Sequence, residues 1–306
     1  MRAKAIVKIC ICGTIALVLG SMLVSLLALP RVLDWKIGDL SFHWIDDHGG
    51  DEGYTVGEAS VSGEVRELDV SWLSGSVTVE LTDGDAVTLR EEPQPESSDA
   101  RMRWKLQDGK LTVYSQKSGL TIPTRAKQLT IGIPAGRAGK LQKFSLDLSA
   151  ATASLPALTL RELELDSVSG SVTLTGGAYE KLDFDSTSGD LTLTSAAVGE
   201  LSADTTSGSL TLGGAFETVD FDTTSGALHL TASALPRDIS CDTVSGGVTL
   251  TLPENGGFSA ALDSVSGDLT VDGFAGSLHR DEFVYGQGGP AYEFDSVSGD
   301  VHIRCA

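Results

Sequence analysis

The chain has 306 residues, with 22 Lys and Arg against 42 Asp and Glu, and a formal net charge of −20. A surface this acidic repels phosphate backbones, which excludes nucleic acid as a partner. Apolar residues make up 41% of the chain, with 35 glycines and 6% aromatics, so it holds enough apolar side chains for a core and enough glycine for many turns.

From Ile9 to Leu29 there are 21 residues without a charge. As a helix they would span ~31 Å, about the hydrocarbon thickness of a bilayer. Arg2, Lys4 and Lys8 precede the run, whereas Arg31 and Lys36 beyond it are mixed with Asp34, Asp39, Asp46, Asp47, Asp51 and Glu52. This bias predicts a cytoplasmic end over 1–8, a transmembrane signal-anchor helix over 9–29, and a single-pass protein whose C-terminal domain is extracytoplasmic. A cleaved signal peptide is the alternative; the length of the run and the cut-site context Leu26-Leu27-Ala28 speak against it. Cys10 and Cys12 read as packing or lipid-facing residues. Residues 30–56 read as a juxtamembrane linker.

Residues 57–145 carry strand chemistry in irregular order. Leu68, Val70, Val77 and Val79 flank Ser74-Gly75 with the spacing of the repeats described next, Ser71 standing where those have Asp, so this run reads as a first coil. Segments at 86–90, 102–106, 111–114 and 129–134 read as strands that cap an exposed sheet edge. Between them lie the turn Asp108-Gly109 and an acidic, Pro-containing loop from Glu91 to Asp99.

Over 146–306 the motif Asp-Ser/Thr-x-Ser-Gly recurs from Asp166, Asp185, Asp204, Asp222, Asp242, Asp263 and Asp295, in steps of 19, 19, 18, 20, 21 and 32 residues. Asp147, 19 before Asp166, begins a copy without Ser-Gly. Counted from each Asp, positions −3, −1, +6 and +8 are apolar in every copy, as in Leu163, Leu165, Val172 and Leu174. Alternation on both sides of a turn means two short strands per copy, each with one inward face. Such a unit buries its apolar face only when stacked on its own copies. The expected fold is therefore all-β, a right-handed parallel β-solenoid of about 19 residues per coil, with the hand taken from the general rule for parallel crossovers. Rungs ~4.8 Å apart would make eight copies ~38 Å long. A β-sandwich is the alternative, but it does not require so constant a period.

Trp72 to Gly75, the run Gly109 to Val113, the segment Leu129 to Pro134 and the ladder of Asp-Ser/Thr-x-Ser-Gly copies together resemble the bacterial putative-adhesin family of β-strand-repeat proteins, over about residues 57–306. The resemblance implies a right-handed β-solenoid at a bacterial cell surface. It implies no catalytic or binding residue.

The candidate metal ligands are Asp166, Asp185, Asp204, Asp222, Asp242 and Asp263, which would stack along one edge with Asp147 and Asp295, several with a second acid two residues earlier. Calcium is the cation such oxygens would take; otherwise no cofactor is expected. The alternative is that each Asp caps its turn while Gly supplies an unusual backbone angle. Position +7 forms a threonine column, Thr173, Thr192, Thr211, Thr249 and Thr270, interrupted by His229 and His302, which admits an ice-binding alternative beside ordinary exposed strand chemistry. An insertion at about 273–292 carries aromatics; Phe283 and Tyr285 are candidate ligand-binding residues if exposed, and a capping hairpin is the alternative. Cys241 reads as a core residue and Cys305 as a free thiol two rungs away. Histidines 43, 48, 229, 279 and 302 form no nucleophile or metalloprotease motif, so no enzyme is expected, with a polysaccharide lyase as a lesser alternative.

The functional expectation is a non-enzymatic binding, adhesion or structural module at the bacterial cell envelope, with the membrane and a cell-wall glycan or envelope protein as partners. The rival is a sensor or regulatory partner of another membrane protein. The ligand and the oligomeric state stay open.

Overall fold

The structure is a computed structural model that describes residues 52–117 and 125–306. The expected cytoplasmic end, the transmembrane segment 9–29 and nearly all of the linker lie outside the described residues. No described helix is long and apolar enough to cross a membrane.

The described residues are almost wholly β. The first strands are β1 (Thr55–Val56), β2 (Ala59–Val61), β3 (Glu67–Thr82), β4 (Val87–Glu92), β5 (Arg103–Gln107), β6 (Lys110–Tyr114) and β7 (Lys127–Pro134), followed by a one-turn helix (Ala135–Ala138). Next come β8 (Lys143–Leu155), β9 (Thr159–Ser167), β10 (Val172–Ser186), β11 (Leu191–Thr205), β12 (Leu210–Thr223), β13 (Leu228–Ala232), β14 (Asp238–Thr243) and β15 (Val248–Leu252). The last are β16 (Gly257–Ser264), β17 (Leu269–Asp272), β18 (Ser277–His279), β19 (Glu282–Gly286), β20 (Ala291–Ser296) and β21 (Val301–Cys305).

The strands wind into stacked coils joined by parallel pairing in register. Leu163 faces Leu182, which faces Leu201, then Val219 and Ile239, and every copy aligns Asp on Asp. Positions −3, −1, +6 and +8 point inward: Leu163, Leu182, Leu191, Leu193, Leu210 and Leu228 have no exposed surface. Each such leucine contributes ~1.5–3 kcal/mol by leaving water, and stacking makes the contribution cumulative.

The chain does not visit the levels in order. β3 lies between β8 on one side and β6 with β7 on the other, so the first coil in sequence is second in space. At the far end β20 inserts between β14 and β16, and β21 between β15 and β17. The Asp295 coil therefore sits between the coils of Asp242 and Asp263. This corrects the placement of Cys305, whose coil adjoins that of Cys241 instead of lying two rungs away. Both cysteines are free.

Antiparallel strands close the ends. β4 covers β7 and β5 covers β6, with β1 and β2 beyond them, while β19 covers β16 and is itself paired with β18. The aromatic insertion is thus a capping hairpin. Phe283 is 4% exposed and Tyr285 is half-buried, in a cluster with Phe258, Phe274 and Tyr292 whose ring centroids lie 5.0–6.0 Å from neighbours. Of the two readings of the insertion, the capping hairpin is the one observed, and Phe283 and Tyr285 serve packing instead of an exposed binding loop, because these rings supply the apolar cover that the last coil lacks.

The motif's turn is built differently from the expectation. The hydroxyl after the Asp, not the Asp, accepts the glycine N–H: Gly170 to Ser167 Oγ at 2.8 Å, Gly189 to Ser186 at 2.7 Å, Gly226 to Thr223 at 2.8 Å and Gly299 to Ser296 at 2.6 Å. The serine before each glycine donates to the neighbouring coil, as from Ser188 Oγ to Val168 O at 3.2 Å. None of these Ser-Gly glycines has positive φ. They are glycine because the coils approach so closely: a Cβ on Gly208 would lie 2.0 Å from Gly189 O, and one on Gly189 2.0 Å from Gly170 O.

Substitution Gly208→Ala is therefore expected to force two coils apart and cost at least the ~1–3 kcal/mol of an overpacked core. Urea denaturation would measure it; a loss no larger than that of Ala227→Val, at a less confined neighbour, would contradict the close-approach explanation.

Candidate functional site

The regular coils concentrate the charge. Residues 57–143 carry twelve bases and twelve acids, whereas 144–306 carry five bases and 24 acids. Within the coils, period-two alternation sends −4, −2 and the motif Asp to the outward face of one sheet. That face carries Glu162, Glu164 and Asp166 on one rung, Asp183 and Asp185 on the next, and Asp220 and Asp222 further along. The outward face of the other sheet is different, with Thr173, Thr192, Thr211, His229, Thr249, His302 and Thr270 aligned across seven rungs.

The structure brings all six candidate aspartates into one column, in the order Asp166, Asp185, Asp204, Asp222, Asp242 and then, across Asp295, Asp263. Asp147 extends the column, and beyond it Ser71 Oγ donates to Asp147 Oδ2 at 3.1 Å. Surrounding protein and the adjacent carboxylates act together on ionisation. Asp166 is pushed up to about 8 by desolvation first, then by Asp147, Asp185 and Glu164. Asp185 is pushed up to about 6 by desolvation, then by Asp204 and Asp183, and Asp204 is raised for the same reasons, with Asp220 and Asp183 beside it.

The tightest convergence of carboxylates lies beside this column. One oxygen each from Glu162, Glu164 and Asp183 falls within 4.8 Å of the others. Lysines already serve these acids: Lys143 Nζ is 3.3 Å from Glu162 and 2.5 Å from Glu164, and Lys181 Nζ is 2.7 Å from Asp183. Glu164 is accordingly held below its usual range despite partial burial, by Lys143 and by Ser145. Lys143 thus bridges two rungs of this face while Lys181 pairs within its own strand, and in this part of the face the cations are the chain's own.

Sequence reasoning missed a second polar group. Glu91, read as the start of an acidic, Pro-containing loop, has no exposed surface, and Lys127 is 3% exposed. Lys127 Nζ lies 2.6 Å from Glu91 Oε1, donates to the carbonyls of Ala100 (2.7 Å) and Ser115, and sits 5.1 Å from the centre of the Trp72 ring. Met102 N donates to Glu91, and Trp72 Nε1 to Lys127 O at 3.0 Å. Burial pushes the Lys127 ammonium down while Glu91 opposes it. The alternation in β4, with Val87 and Leu89 inward, was the available signal: it places Glu91 inward too. This pair ties β4, β7 and the segment before β5 to the first coil.

The fold and its ladders define a stacked-coil, strand-repeat protein of the all-β class. A model of the Toastrack DUF4097 family matches residues 65–304, and the chain belongs to that family. No curated protein matches it. Among solved structures, it is similar to a putative lipid binding protein from Parabacteroides distasonis ATCC 8503, at 16% identity over 84% of this chain and 98% of that one, with a TM-score of 0.48. It is also similar to a putative adhesin from Bacteroides fragilis NCTC 9343, at 15% identity over 83% and 98%, with a TM-score of 0.43.

Two outcomes are expected. Because the folded pKa of Asp166 and Asp185 lies above the ~3.9 of an unfolded chain, the native state holds extra protons between about pH 4 and 8, and stability falls as pH rises through that window. Thermal unfolding across pH 4 to 9 should show this decline, and Asp166→Asn should flatten it and raise stability at pH 8; an unchanged slope would show that the column is not coupled. Glu91→Gln should cost ~3–5 kcal/mol by leaving Lys127 buried without its counter-charge, and Glu91→Met with Lys127→Met should recover most of the loss, as chemical denaturation of the three variants would reveal.

Proposed function

We propose that this protein is a membrane-anchored, extracytoplasmic, non-enzymatic binding module of the bacterial cell envelope, its coils wound right-handed. The observation that carries the reading is the pair of outward faces of different chemistry, one crowded with stacked carboxylates and the other lined with threonine hydroxyls and imidazoles, each repeated at the rung spacing. A periodic surface matches a periodic partner, such as a wall glycan or an extended envelope protein, because every rung offers the same contact again. The charge bias around residues 9–29 supports an anchor with the coils outside. Calcium between rungs of the Asp column would offset repulsion among those carboxylates and bridge them to an acidic polymer.

Co-sedimentation with isolated bacterial cell-wall material, with and without EDTA, tests the reading. Saturable binding is expected, and its loss in EDTA would assign it to the Asp column. Absence of binding, together with co-purification of a membrane protein, would replace adhesion by a regulatory partnership.

A further inference from the structure

The neutral N-terminal region holds a cleft with a chemistry unlike either face. It has a volume of about 280 Å³, and Val65, Leu68, Val87, Ile133 and Leu141 form its apolar wall. Arg137 and Lys140 stand at its rim with a single acid, Glu64. Arg137 is held there by the one-turn helix and by donation from Nη1 to Ser62 O at 3.0 Å.

Two contrasts give the cleft a ligand class. Elsewhere in this region Lys110 sits against Asp69, Lys117 against Asp99, Lys127 against Glu91 and Lys143 against Glu162 and Glu164, while Lys105 lies over the Tyr54 ring. Arg137 and Lys140 form no ion pair among the described residues, although acids outnumber bases by 20 in the chain. An apolar wall beneath two cations is complementary to a molecule with an apolar tail and an anionic head. The volume of about 280 Å³ lies just below the ~300–1,000 Å³ typical of small-molecule sites, so it suits one short chain or ring and not the two acyl chains of a phospholipid.

We propose that this cleft binds a single-chain anionic amphiphile of the medium-chain fatty-acid class. The tail lies against Val65, Leu68, Val87 and Ile133, and the carboxylate lies between the Arg137 guanidinium and the Lys140 ammonium. The site is separate from the carboxylate and threonine faces and stands or falls independently of adhesion.

The experiment is photolabelling of the full chain in lipid nanodiscs with a diazirine analogue of decanoic acid, followed by peptide mapping. Label enriched in peptides spanning 62–68 and 133–141, and competed by decanoate, is expected. Decanol should compete about ten-fold less well, since it lacks the charge-assisted contacts. Lys140→Glu, at an exposed position, and Arg137→Glu should each lower labelling of these peptides, and Val65→Trp should block it by filling the cleft with both cations intact. Circular dichroism identifies any variant that has failed to fold, and the exposed Lys140→Glu then decides. Label spread without enrichment, equal competition by decanol, or undiminished labelling of Lys140→Glu would overturn the proposal.

Discussion

Everything in this protein depends on one distance, the separation of ~4.8 Å between parallel strands in successive coils. It brings like residues onto like, so each copy of the repeat meets the same chemistry above and below. Inward, that makes continuous rows of leucine and valine that no single coil could bury. At the turn, it leaves no room for a β-carbon, and the glycine carbonyls of adjacent coils take the space. Outward, it sets carboxylates side by side in partly desolvated positions, and desolvation first and the neighbouring charges second raise their proton affinity.

The same separation makes the two ends unlike the middle. A stack of coils finishes in unpaired strand edges, and an unpaired edge invites another chain. Here each end is covered by antiparallel strands, but with different fillings. The N-terminal cover is tied to the first coil by Trp72, Lys127 and Glu91, a polar linkage in which removal of either charge leaves the other stranded. The C-terminal cover is apolar, with Phe258, Phe274, Phe283 and Tyr292 packed ring against ring.

Much of this was legible in the sequence, and the reasons for the exceptions are specific. The repeat period and the apolar positions −3, −1, +6 and +8 reveal coils because inward burial imposes one chemical class on those sites. Ser71 in the place of Asp did mark a coil, and it faces Asp147. The glycines were read through backbone angle, the commonest reason for a turn glycine, whereas steric closeness between coils selects them, and that closeness involves residues some 19 positions apart. Spatial order at the ends was illegible because every coil presents the same register to its neighbours, so the repeat itself does not say which copy lies next to which. Glu91 was misread because acids beside Pro resemble a solvated loop, and its counter-charge is 36 residues away. The cleft beside Arg137 was likewise hidden, since its wall comes from four separate strands and turns.

The interleaving at the C-terminal end sets the order of synthesis against the order in space. A chain made from its N-terminus produces the coil of Asp263 before that of Asp295, yet the earlier one can reach its final neighbour only after the later one has taken the place between them. The first eight levels can zip together as they emerge, but β16 and β17 must wait with one edge open until residues 291–305 arrive. Completion of the stack thus depends on β20 and β21: without them the stack lacks a penultimate layer, not merely an outer one.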